Sequence, residues 1–194
     1  MSDLRKCQAA VVIGASVGAV EALSEILPAL SHDFPFAVIV VVHVPADRES
    51  LLTALFTDLC ELPVKEAEDK EPIHSGRIYF APPNYHLLVE PDLSFSLSSD
   101  PLVHYSRPAI DVLFESAADA FGDAATGVIL SGANADGADG LHAIVQAGGR
   151  AFVQAPRSAV GDTMPMAALA ACPGAVSGTP KEIAGFLKNF THAS

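Results

Sequence analysis

A chain of 194 residues, half of them hydrophobic, is long enough to bury one sizeable core and short enough to be a single domain. Eleven Lys and Arg against 23 Asp and Glu give a formal charge of −12 with no basic run, which excludes the electrostatic footprint of a nucleic-acid or anionic-membrane binder. No apolar run approaches the ~18 residues of a membrane span. The three cysteines, Cys7, Cys60 and Cys172, are spaced for neither a disulfide framework nor a zinc site, so a cytoplasmic protein without metal or cofactor is expected.

Residues 9–13 read as a buried strand, which runs into Gly14-Ala15-Ser16-Val17-Gly18. That is the G-x-S-x-G spacing of a nucleophile elbow, where glycines allow a sharp strand-to-helix turn and leave the serine hydroxyl exposed above the sheet. A helix is expected over residues 21–30, with Leu23, Ile26, Leu27 and Leu30 at helical spacing and Pro28 late in it. Residues 36–42 are apolar without interruption, as in a parallel strand covered on both faces, and His43 ends the run. A second helix is expected over residues 47–59, and a charged loop over 66–71. Residues 78–81, 87–89 and 93–97 read as antiparallel strands, an insertion between about residues 76 and 98.

Helical spacing returns over residues 109–121, and residues 126–130 form another buried strand leading into Ser131-Gly132-Ala133-Asn134-Ala135-Asp136-Gly137. A helix to about residue 147, a strand over 151–153 and helices over 164–171 and 180–189 complete the pattern. The alternation predicts an α/β fold: a doubly wound, mainly parallel sheet with a small antiparallel insertion, helices on both faces, and one domain over 1–194.

In such a sheet every strand-to-helix loop emerges at the carboxyl edge, which is where ligands bind. Ser16, His43 and Asp136 each follow a strand end, and they supply an alcohol to attack, an imidazole to take its proton and a carboxylate to hold the imidazole. Two alternatives stay open on these residues: His86 as the base and Asp139 as the acid. The 132–140 loop is rich in glycine but has no lysine after it. The second strand ends in His43-Val44-Pro45 instead of an acidic residue, so nucleotide binding is disfavoured.

Gly14-Ala15-Ser16-Val17-Gly18, Val42-His43-Val44-Pro45, Tyr79-Phe80-Ala81-Pro82, Ser106-Arg107-Pro108-Ala109-Ile110-Asp111-Val112-Leu113-Phe114 and the loop over 130–140 resemble, in that order, the catalytic domain of the chemotaxis-receptor protein-glutamate methylesterases, the CheB type. The resemblance implies a Ser-His-Asp hydrolase that removes methyl esters from receptor glutamates and often deamidates receptor glutamines. Ser16 would be the nucleophile, His43 the base and Asp136 the orienting acid. Val17 stands where the family usually has threonine, and Ala133-Asn134-Ala135 where it has Met-Gly-Asn or Met-Gly-Asp. Val17 and Ala133 are expected beside the substrate, with the Val17 backbone N–H as oxyanion donor. Arg107 is expected to meet the acidic substrate surface. The implied partners are methylated chemoreceptor helices and, since the chain shows no receiver domain, a separate receiver or signalling protein. A catalytically weak homologue that serves as a binding module is the alternative reading.

Overall fold

The structure, a computed structural model, describes residues 7–43 and 51–190. The first half of the chain forms β1 (Ala10–Ala15), α1 (Ala19–Ile26), β2 (Ala37–Val42), α2 (Leu52–Leu59), β3 (Val64–Glu66), β4 (Ile78–Phe80), β5 (His86–Val89) and β6 (Phe95–Ser98). The second half forms α3 (Ile110–Phe121), β7 (Ala125–Ile129), α4 (Ala138–Gln146), β8 (Arg150–Gln154), α5 (Thr163–Ala171), β9 (Val176–Gly178) and α6 (Pro180–Lys188).

Seven strands make one sheet in the order β3-β4-β2-β1-β7-β8-β9, every pair of them parallel. The two sides of the sheet can be read from the alternation along β1 and β2. Ala10 and Val12 of β1 and Ala37, Ile39 and Val41 of β2 pack on the side covered by α3, α4 and α5. Val11, Ile13, Ala15, Val38, Val40 and Val42 pack on the side of α1, α2 and α6. Burial on both faces is why these strands are apolar throughout. The chain turns outward from β1 in both directions, to β2 on one side and β7 on the other, so the switch point of the sheet lies at the end of β1, at Ser16.

Several features depart from the sequence-based expectation. Residues 78–80 do not belong to the antiparallel insertion; β4 pairs in parallel with β2 through Val38 and Ile78. Its three residues are buried because both faces of the sheet are covered there. The antiparallel unit is β5 and β6 alone. The charged stretch expected as a loop begins inside β3, which pairs with β4 at the sheet edge. At the other edge β9 pairs with β8. Both edge strands have three residues, too few to carry a hydrophobic period. The second helix, expected from residue 47, is described from Leu52; residues 47–50 lie outside the described residues. α1 ends at Ile26 and continues as a 3-10 turn over Leu27–Ala29 that contains Pro28.

Candidate active site

At the end of β1 the chain turns through Gly18, which adopts φ +80°. A Cβ there would stand 2.8 Å from Val160 Cβ and 2.9 Å from Ser131 Oγ, so the turn is closed to other residues by conformation and by space. Gly18 also occupies the N-cap position of α1, and no side chain caps that helix, so the Ser16 hydroxyl is not used as a cap. The elbow is pinned from beneath. Ser16 N–H donates to Ser131 O at 2.8 Å, and Ser131 N–H donates to Gln154 Oε1 at 2.9 Å. The Gln154 amide in turn donates to Ser158 O at 3.0 Å. Ser131 and Gln154, both buried, thus tie together the loops after β1, β7 and β8. Sequence reasoning passed over both residues, although each ends a buried strand at the carboxyl edge.

β1 and β2 are in register with Ala15 opposite Val42, and His43 N–H continues the ladder to Ala15 O at 3.1 Å. Ser16 and His43 directly follow that last pair, at the ends of neighbouring strands that run about 4.8 Å apart. Among the described residues the Ser16 hydroxyl makes no hydrogen bond to the His43 ring. Such contacts are commonly loose before substrate binds and tighten with it.

His43 Nε2 lies 2.7 Å from Asp136 Oδ2. The carboxylate can only accept, so Nε2 carries the proton and Nδ1 is left with a free lone pair. Asp136 is fully buried. Its carboxylate closes the N-terminus of α3: Ile110 N–H donates to Oδ2 at 2.7 Å and Asp111 N–H to Oδ1 at 3.0 Å. Negative charge at a helix N-terminus is favoured by the helix dipole, whose positive end consists of these same free N–H groups. Burial works against its ionisation, yet the hydrogen bond from His43 and the two backbone N–H groups hold the Asp136 carboxyl below the usual carboxylate value.

A lowered acid favours the folded state wherever it is ionised. The stability Asp136 contributes is therefore full above about pH 4, the unfolded value, and is lost as pH falls through the folded one. We expect wild type to be more stable than Asp136→Asn at neutral pH. That gap should narrow below about pH 4, as read by denaturant melts at stepped pH.

The rival residues have other positions. His86 is buried, accepts Ala109 N–H on Nδ1 at 3.2 Å and pairs through Nε2 with Pro101 O at 3.0 Å, so both ring nitrogens are spent on the scaffold. Asp139 is exposed in the first turn of α4, near His104 and Asp111 and without a hydrogen bond to His43. Arg107, expected to face the substrate, instead spends its guanidinium within the chain. It donates to Asn84 Oδ1 at 2.7 Å and to the carbonyls of Ser99 at 2.7 Å and Asp100 at 2.9 Å. Its role here is to fasten two loops. Ala133 and Val17 are both exposed, and no acceptor is found for the Val17 N–H among the described residues. The Val17 and Val160 side chains are both exposed, and Val160 lies beside Gly18. A cluster formed by His104, Asp111 and Asp139 has one ligand-type atom from each residue within 4.8 Å of the others.

The fold and site together define a doubly wound α/β protein with a serine elbow at the switch point and a helix-capped His–Asp pair beside it. Residues 11–187 match the CheB methylesterase family, and the chain belongs to it. That family consists of carboxylic ester hydrolases. A Leptospira interrogans protein, for which the name protein-glutamate methylesterase/protein-glutamine glutaminase is provisional, is 47% identical over 162 residues, 84% of this chain and 84% of that one. A Syntrophus aciditrophicus protein-glutamate methylesterase/protein-glutamine glutaminase is 38% identical over 162 residues. This match covers 82% of the present chain but only 47% of that longer relative. The crystal structure of the Thermotoga maritima CheB methylesterase catalytic domain superposes with a TM-score of 0.90 at 29% identity, covering 94% of this chain and 98% of that one. No helix among the described residues is long and apolar enough to cross a membrane.

Proposed function

We propose that this chain, working as a single domain, hydrolyses methyl esters of glutamate side chains on chemoreceptor cytoplasmic helices, and glutamine amides there by the same route. Ser16 is the nucleophile, His43 the base and Asp136 the orienting acid. The observation that supports this reading is the register of β1 and β2, whose last pair, Ala15 and Val42, directly precedes Ser16 and His43, while Asp136 lies 2.7 Å from Nε2 of the His43 ring. The base is then Nδ1, with Nε2 held by the acid.

Each chemical step follows from that placement. Nδ1 takes the Ser16 proton as Oγ adds to the ester carbonyl, and the Val17 N–H at the start of α1 meets the developing oxyanion. Asp136, kept ionised by α3, stabilises the imidazolium. The imidazolium then protonates the leaving methanol, or ammonia from an amide, and water attacks the acyl-enzyme through the same base. The exposed apolar side chain of Val17, next to Ser16, accepts a neutral ester and disfavours the carboxylate product, as does a chain of charge −12. Control by a separate receiver or signalling protein belongs to the same proposal.

Two measurements on the full chain test it: methanol release from a methylated receptor fragment and labelling with a fluorophosphonate. We expect both to proceed in wild type, with the label on Ser16 and kcat/KM rising along a single limb with pH, because only the neutral imidazole accepts a proton. Receptor binding without methanol release or labelling would favour the binding-module reading.

A further inference from the structure

Asp136 and Asp111 cap each other's helices. Asp136, just ahead of α4, accepts the Ile110 and Asp111 N–H groups of α3. Asp111, in the first turn of α3, reaches back and accepts Gly140 N–H of α4 at 2.7 Å on Oδ1. Its other oxygen lies 3.1 Å from His104 Nε2. An acid in the first turn of a helix normally looks outward to water. This one is 4% exposed.

Gly140 makes the approach possible. A Cβ there would lie 2.5 Å from Phe114 Cβ and 3.1 Å from both Asp111 Cα and Asp111 O. The helices touch backbone to backbone at this point, and the Asp111 carboxylate closes the contact.

The geometry points to Asp111 as a positioning residue for the active site: by holding Gly140 N–H it fixes the start of α4 against the start of α3 and so aims the Asp136 carboxylate at His43. This rests on the reading of His43 and Asp136 given above. The carboxylate does two separable things. As an acceptor it fastens the two helices, which an asparagine also does. As a charge it adds negative potential behind Asp136, favouring the His43 cation that forms during catalysis, which an asparagine does not. The charge is held there at a cost. Burial above all, with the neighbouring Asp136, pushes the Asp111 carboxyl up to about 6, while the Gly140 N–H and His104 pull the other way. The titratable groups facing it are His104 from the loop before α3, Asp136 from the loop before α4 and Asp139 in the first turn of α4.

The test compares Asp111→Asn and Asp111→Ala in the full chain by ester kinetics, pH profile, melting temperature and the NMR signal of the His43 Nε2–H proton. For Asp111→Ala, kcat should fall about 10- to 100-fold at little-changed KM, the range seen when a supporting group behind a catalytic ligand is removed. The Nε2–H resonance should broaden or vanish as the Asp136 contact loosens. For Asp111→Asn the resonance should persist, kcat should fall less, and the rising limb of kcat/KM should move to lower pH by about half a unit to one unit, since one nearby negative charge is gone. A lowered melting temperature with kcat, pH limb and ring proton all as in wild type would make Asp111 a structural cap only and overturn the inference. The ring-proton signal needs no turnover. If wild type hydrolyses no ester, a signal lost in Asp111→Ala still upholds the positioning role, and a signal unchanged in both variants overturns it.

Discussion

Ser16→Ala and His43→Ala are each expected to lower kcat by about 10⁴- to 10⁶-fold, with KM nearly unchanged and the fold intact. By transition-state arithmetic this is a loss of about 5 to 8 kcal/mol of barrier lowering. The two variants should be equally poor and their double mutant no worse, because nucleophile and base act as one unit. Ser16 is half-buried at an elbow whose backbone is held by Ser131, so removal of its hydroxyl disturbs no packing. His43 has a side chain only 11% exposed, and its loss leaves Asp136 with the two α3 N–H groups still satisfied. Kinetics with a methylated receptor fragment, checked against melting temperature, decide the matter. Activity within tenfold of wild type in either variant would remove that residue from the chemistry.

Asp136→Asn is expected to cost about 10⁴-fold in kcat, and the hydrogen bonds explain why so small a change does so much. Both oxygens of Asp136 face donors: Asp111 N–H on Oδ1, Ile110 N–H and the His43 ring on Oδ2. Asparagine has one acceptor to offer. If its NH₂ takes the Oδ2 position it opposes Ile110 N–H and donates to His43 Nε2, which moves the ring proton to Nδ1 and blocks the base. If it takes the Oδ1 position it opposes Asp111 N–H. Either arrangement leaves a buried donor unpaired, a cost of about 1–3 kcal/mol in stability. Asp139→Asn serves as the control, since Asp139 is exposed and makes no contact with His43. It should stay within a few-fold of wild type. Were Asp139→Asn inactive and Asp136→Asn near normal, the acid would have been assigned to the wrong residue.

How far the sequence discloses this arrangement depends on the distance over which each interaction acts. The doubly wound α/β architecture was readable because it is written in local periods: apolar runs over 36–42 and 126–130, helical spacing between them, and glycines at the turns. That Ser16 and His43 would meet one edge of the sheet was readable as well, since each ends a strand. Which strands lie side by side is set by packing and not by period. The parallel partner of residues 78–80 was therefore missed, and three-residue edge strands such as Val64–Glu66 carried too little pattern to be seen. For a different reason, spacing alone did not separate Asp136 from Asp139, and only the resemblance pointed to Asp136. Both sit in the same polar turn, and what separates them is the α3 N-terminus, 26 residues upstream of Asp136, receiving one carboxylate and not the other. Arg107, ahead of α3 and expected to meet the substrate surface, donates to the carbonyls of Ser99 and Asp100 and to Asn84, partners that no local period announces.

The reciprocal caps also bear on how the helices behave in time. A helix ordinarily frays from its ends, because the first-turn N–H groups have only water to hold them. In α3 the frayed end would be the one that holds the Asp136 carboxylate. Here Ile110 and Asp111 give their N–H groups to Asp136, and α4 gives that of Gly140 to Asp111, so neither helix can begin to unwind at this end without the other. Local opening becomes a joint event of two helices in place of the breathing of one. The His43–Asp136 contact is then expected to open only with the slower, cooperative motion of the pair.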